Sequence, residues 1–218
     1  MSEQTIALPI FNMTNNKILI LSAQAVSLLF SPFYMPTIIF AILMMFSYLN
    51  LMSLGDRLTG LVLVYTLTVI LPRLAIFLYR KVNGWTRHQM GRRERRFVPY
   101  IISILCFGLM LNLMEQLKMP RFMMGVIVCA LSLQIICALT NIWLKVSTHA
   151  AASGACIGLL MAFSLLFHFD PTLWLCALTL LNGLVCSARL ILRQHTIVDV
   201  WAGTVIGVVC GFLSITLI

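Results

Sequence analysis

Carboxylates are scarce in this chain. Asp and Glu number 6 against 15 Lys and Arg in 218 residues. A magnesium or calcium centre built on converging carboxylates has little to draw on, so neither a metal nor a cofactor is expected. Charged residues make up 10% and apolar ones 61%, against about 25% and about 45–50% in ordinary soluble domains. That balance excludes a soluble globular fold and predicts a polytopic membrane protein. The seven cysteines all fall inside apolar runs, with no CxxC pair and no metal-ligand spacing. They are read as small buried hydrophobes. No sustained alternation points to a barrel, and no internal repeat stands out. The stretch before Ile18 carries Glu3 and lacks an n-region and cleavage-site pattern, so no cleavable signal peptide is expected. The net charge of +9 fits anionic headgroups or phosphorylated lipids better than nucleic acid, and no nucleic-acid partner is expected.

What is present in abundance is apolar length. A membrane span needs about 20 apolar residues. The run 18–54 is too long for one straight helix and is interrupted by Pro32 and Pro36. It splits into an interfacial or re-entrant piece, 18–31, and a span, 35–54. Further spans are predicted at 58–79, 99–117, 122–144, 150–167, 173–192 and 196–218. Pro72 predicts a kink in the first of these. The expected fold is an all-α transmembrane helix bundle forming one domain over 1–218, with six core spans, those from 58 onward, plus an N-terminal interfacial or re-entrant segment ahead of the span 35–54. Oligomeric state is not legible.

Three polar clusters interrupt the spans: 81–96, Ser147–His149 and Arg189–Asp199. Each is separated from the next by two spans, so all three emerge on one membrane face and can build one site. In the third cluster Arg189, His195 and Asp199 bring together a forked donor for phosphate, an imidazole and a carboxylate. His195 and Asp199 are four apart and are expected to share one helix face. The carboxylate there would set the imidazole tautomer and raise its basicity. Arg189 lies across an expected helix break.

In the second cluster Ser147 or Thr148 suits an N-cap, and the helix start behind it favours an anion. His149, in the first turn, is placed to protonate a leaving oxygen. The stripe Ala150, Gly154, Gly158 matches Gly203, Gly207, Gly211 on the last span. Small residues at this spacing let membrane helices approach closely, which predicts that these two spans pack together and hold His149 beside His195. In the first cluster Arg92 and Arg96 are four apart and can point together. Glu94 would steer the arginines, and His88 is read as solvated. His168 falls on the opposite face and receives no role. Arg73 is an intramembrane charge and so a functional candidate, weighed against an arginine snorkelling toward Arg80.

With these residues in place, the chain resembles the type 2 phosphatidic acid phosphatase superfamily (PAP2), over roughly residues 80–210. The family's third motif, Ser-Arg-x5-His-x3-Asp, is matched at Arg189, His195 and Asp199, with Ala188 in place of the serine. The second motif, Pro-Ser-Gly-His, reads Val146-Ser147-Thr148-His149. The first, Lys-x6-Arg-Pro, is approximated by Arg92 to Arg96 followed by Pro99, without the lysine. The resemblance implies that His195 attacks phosphorus and forms a phosphohistidine, with Asp199 orienting it. His149 would protonate the leaving oxygen and then activate water. Arg92, Arg96, Ser147, Thr148 and Arg189 would hold the phosphoryl oxygens, with no metal.

The implied substrate is a lipid phosphate or pyrophosphate within the bilayer: polyprenyl diphosphate, phosphatidate, phosphatidylglycerophosphate or lipid A phosphate. The implied place is a bacterial inner membrane. Most Lys and Arg fall on the motif face, which by the positive-inside rule would be cytoplasmic. Several of them would be phosphate ligands, however, and family habit places the site on the periplasmic face. A lipid phosphotransferase using the same site, and a transporter or scaffold without chemistry, are the alternative readings.

Overall fold

The computed structural model describes residues 13–46, 53–84, 97–143 and 145–217. The described residues are all-helical: α1 Met13–Leu29, α2 Met35–Phe46, α3 Leu54–Val82, α4 Phe97–Gln116, α5 Arg121–Thr140, α6 Thr148–Phe167, α7 Thr172–Ile191 and α8 Ile197–Thr216. The last six are long and apolar enough to cross a membrane, because about 20 residues at 1.5 Å each span about 30 Å of hydrocarbon. Their outward faces carry exposed Leu173, Leu180, Leu184, Val205 and Val209, as a lipid-facing surface would. Exposed Trp143 and Trp201 lie near the ends of α5 and α8, where amphipathic rings suit a headgroup layer.

Of the expected span 35–54, only residues 35–46 and 53–54 are among the described residues. The helix α2 is 12 residues, about 18 Å long, and residues 47–52 lie outside the described set. The expected irregularity at Pro72 takes the form of a π-helical turn, Thr66–Ile70, inside α3. Proline has no N–H for the carbonyl four residues back. The wider turn absorbs this, with Leu71 N–H donating to the Thr66 carbonyl. Helix ends are marked by left-handed residues: Lys118, His168 and Arg193 each have φ 51. His168 is thus the C-cap of α6. Asp170 beyond it accepts from Thr172 N–H at 3.0 Å as α7 begins. His168 and Asp170 lie beyond the end of α6 that is far from His149.

α6 is the central helix. Of its apolar window, 67% is buried inside the protein, against 44% for α5 and 28% or less for the other spans. The core around it is filled by Phe40, Phe107, Met110, Ile127, Leu160 and Phe163. Its most intimate neighbour is α8, as the small-residue stripes predict. A Cβ on Gly154 would lie 2.5 Å from the Thr204 carbonyl oxygen, and one on Gly203 2.7 Å from that of Ser147. At Gly158, Gly207 and Gly211 it would overlap the carbonyls of Val208, Ala151 and Ala155. The two backbones therefore touch along three turns. α7 closes on the same pair, with Ser153 Oγ donating to Asn182 Oδ1 at 2.7 Å. α1 lies against α7.

Candidate active site

The close approach of α6 and α8 begins at their N-termini, and the polar residues gather there. α6 starts at Ser147, which is fully buried and whose Oγ accepts from Ala150 N–H at 3.5 Å. α8 starts at Thr196. Its hydroxyl accepts from Asp199 N–H at 3.3 Å, and Asp199 Oδ2 accepts from Thr196 N–H at 2.8 Å. This reciprocal pair is a capping box. One main-chain bond ties the two starts together: Ser147 N–H donates to the Asp199 carbonyl at 3.2 Å. The second and third clusters of the sequence are thus brought to one place.

His195 is positioned differently from the sequence expectation. It precedes the cap and lies outside α8, so it does not share a helix face with Asp199. Its Nδ1 lies 3.2 Å from the Lys145 carbonyl oxygen and 3.7 Å from Asp199 Oδ2. A carbonyl only accepts, so Nδ1 carries the proton and Nε2 keeps the lone pair. Asp199 is a neighbouring charge whose closest bond is spent on the helix cap. Burial, first, and the Arg189 guanidinium, second, pull the His195 imidazole down from 6.5 to about 4. Asp199 raises it, as expected of the carboxylate, and so does the Lys145 carbonyl, but together they do not overcome that pull. Both side chains are largely covered, at 9% and 16% accessible.

The downward shift makes the neutral imidazole the favoured form in the folded protein. The stability it contributes is complete above about pH 6.5 and is lost as pH falls through about 4. In protein carrying ¹³C-labelled histidine, the His195 resonance is expected to titrate near pH 4. A midpoint at the ordinary imidazole value would contradict this arrangement.

Arg189 sits in the last turn of α7, before the break that Arg193 makes. Its Nη1 donates to Ser27 Oγ on α1 at 2.8 Å. His149, the second residue of α6, lies within reach of the charges of Arg189 and His195 and of the Ser27 main-chain dipole. Its Nδ1 is buried without a hydrogen-bond partner among the described residues. Arg189, His149 and His195 therefore form one cluster, with Ser27 in contact with the first two. Thr148 is half-buried at the helix start. Arg92 and Arg96 lie outside the described residues, so their meeting with this cluster belongs to the sequence reading.

Ser27 and the Lys145 carbonyl are the parts that sequence reasoning missed. Ser27 is a hydroxyl in an apolar run and belongs to no recognisable spacing. Lys145 acts through its main chain, which leaves no trace in residue identity. Among the described residues, no group of three or more His, Cys, Asp or Glu side chains is placed to hold a metal ion.

No protein-family model matches the chain, and no curated protein or solved structure is significantly similar to it. A functional assignment rests on the residues themselves.

Proposed function

We propose that the protein is an integral membrane phosphatase of the PAP2 type, acting on a lipid phosphate or pyrophosphate through a phosphohistidine. The observation that carries this reading is the setting of His195. Its Nδ1 is anchored on the Lys145 carbonyl at 3.2 Å, which leaves the Nε2 lone pair for attack beside Arg189 and His149.

In the first step Nε2 of His195 bonds to phosphorus as the bond to the lipid oxygen breaks. That oxygen takes its proton from His149. In the second step His149 accepts a proton from water, the water oxygen bonds to phosphorus, and the P–N bond breaks to restore His195. The incoming phosphate charge favours the protonated form of His149 needed for the first step. Arg189 holds the phosphoryl oxygens, which then take the place of the Ser27 hydroxyl on its guanidinium. The free N–H groups at the start of α6 add an anion-favouring dipole. Arg92 and Arg96 complete the grip. Asp199 steadies the start of α8 and, as a nearby carboxylate, stabilises positive charge on His195. The proposed setting is a bacterial inner membrane, with the site on the periplasmic face and the lipid arriving sideways from the leaflet.

The test is phosphate release from a panel of lipid phosphates by purified protein, with and without a second lipid as acceptor. Release to water is expected, undiminished by a chelator. Phosphate appearing on the acceptor lipid would indicate a phosphotransferase. No turnover of any lipid in the panel would favour a transporter or scaffold, and activity lost to chelator and restored by magnesium would overturn the metal-free mechanism.

A further inference from the structure

A second polar feature lies away from His195. Arg73 stands within the span α3, nine residues before its end at Val82, or about 14 Å along the helix. A charge at that depth calls for a partner, and among the described residues no carboxylate forms an ion pair with it. Its guanidinium is held by Tyr34 instead. Nη1 donates to the Tyr34 hydroxyl at 2.5 Å, and Cζ lies 4.5 Å from the ring centroid. Tyr34 in turn stacks on Tyr65 at 6.3 Å between centroids. Arg73 is thus held by Tyr34, which is backed by Tyr65, with no carboxylate partner among the described residues.

These three residues border a cavity of about 410 Å³ whose remaining wall includes Leu28, Leu29 and Ile38. The volume falls within the range of small-ligand sites, about 300–1,000 Å³. The lining is divided: a cation with aromatic hydroxyls on one part, leucine and isoleucine on the other. Leu28, Leu29 and Arg73 are all exposed. Such a lining matches an amphiphile with an anionic head, and its place within a span restricts access to molecules already in the bilayer. We propose that this cavity binds the phosphate head of a membrane lipid, with Arg73 as its charge partner, as a site separate from the His195 cluster.

The link between the two sites is the end of α1. Successive helix residues point about 100° apart. Ser27 engages Arg189, while Leu28 and Leu29 line the Arg73 cavity. The last turn of α1 therefore forms a partition with an anion-binding arginine on each side. The cavity does not depend on the catalytic reading, because none of its lining residues takes part in that chemistry.

The test uses full-length protein carrying His195→Ala, which prevents turnover and is harmless if the protein is no phosphatase. The protein is placed in phosphatidylcholine nanodiscs containing phosphatidate with a photoreactive acyl chain. Illumination and peptide mapping are expected to place label on the segment 28–38. Adding Arg73→Gln should lower that label by about tenfold or more and leave labelling near Arg189 unchanged. Tyr34→Phe, which keeps the ring and removes the hydroxyl, should lower it in part if Arg73→Gln disturbs folding. Unlabelled phosphatidate should compete and phosphatidylcholine should not. Absence of label in 28–38, or label indifferent to both substitutions, overturns the proposal. Competition by inorganic phosphate but not by phosphatidate would make this a free-anion site and overturn the lipid assignment. Failure of the catalytic reading would show separately, as no phosphate release by the wild-type protein.

Discussion

Replacing His195 by alanine is expected to reduce phosphate release by a factor on the order of 10⁴ or more, while the protein still inserts and purifies as a single species. The imidazole sits in the loop between α7 and α8, outside the buried apolar core, so its loss should leave the fold intact. What disappears is the only nitrogen whose tautomer is set by the Lys145 carbonyl at 3.2 Å. His149→Ala should behave differently. Removing a general acid and base costs about 10²–10⁴ in rate and should slow the second step too. Brief exposure to a labelled lipid phosphate should then trap an acid-labile phosphoprotein in the His149→Ala variant and none in His195→Ala. Near-wild-type turnover without His195, or trapped label on some other residue, would remove the central assignment.

Gly207→Leu is expected to have the largest effect on the fold. A Cβ at this position would overlap the Ala151 carbonyl of α6 and lie 2.8 Å from Ala155 N. Both obstacles are main chain in the most buried helix and cannot swing aside. Overpacking a core by movable side chains costs about 1–3 kcal/mol. Here the helices themselves must separate, so the loss should exceed that range. The consequence reaches the site, because the bond from Ser147 N–H to the Asp199 carbonyl exists only while α6 and α8 stay in contact. Thermal unfolding in detergent should show a marked drop in midpoint together with loss of activity. Gly183→Ala in α7 is the control. Nothing lies within 4 Å of a Cβ there, and replacing a mid-helix glycine should be neutral or stabilising by up to about 1 kcal/mol. Equal destabilisation by both changes would mean that close packing of α6 on α8 is not what holds the bundle.

Much of this architecture is a local property of the sequence. Apolar runs of sufficient length determine the six long helices, because an unpaired main-chain polar group in hydrocarbon is too costly for any alternative. Hydroxyl residues ahead of such runs determine the starts of α6 and α8, since Ser147 and Thr196 cap their own neighbours. The glycine and alanine stripes determine which two helices come closest. The spacing of Arg189, His195 and Asp199 marks the candidate site. Pro72 marks an irregular turn, and its identity as a π-helical turn follows from how the neighbouring carbonyls are satisfied.

Other features depended on distance in the fold. The separation of four brings the His195 and Asp199 side chains within 3.7 Å, but it could not show which acceptor the imidazole N–H takes. The cap at Thr196 leaves His195 outside, and a main-chain carbonyl from Lys145, 50 residues away in the chain, becomes its partner. The sign of the His195 shift follows from burial and from Arg189, which are also tertiary. Ser27 and Tyr34 acquire meaning only when the N-terminal helices fold back, bringing Ser27 to Arg189 across 162 residues and Tyr34 to Arg73 across 39. The spans, the caps and the residue types of the candidate site were legible along the chain, because these arise from interactions within a turn or two of helix. Which polar group meets which was fixed by folding, because those pairings are set by the packing of helices far apart along the chain.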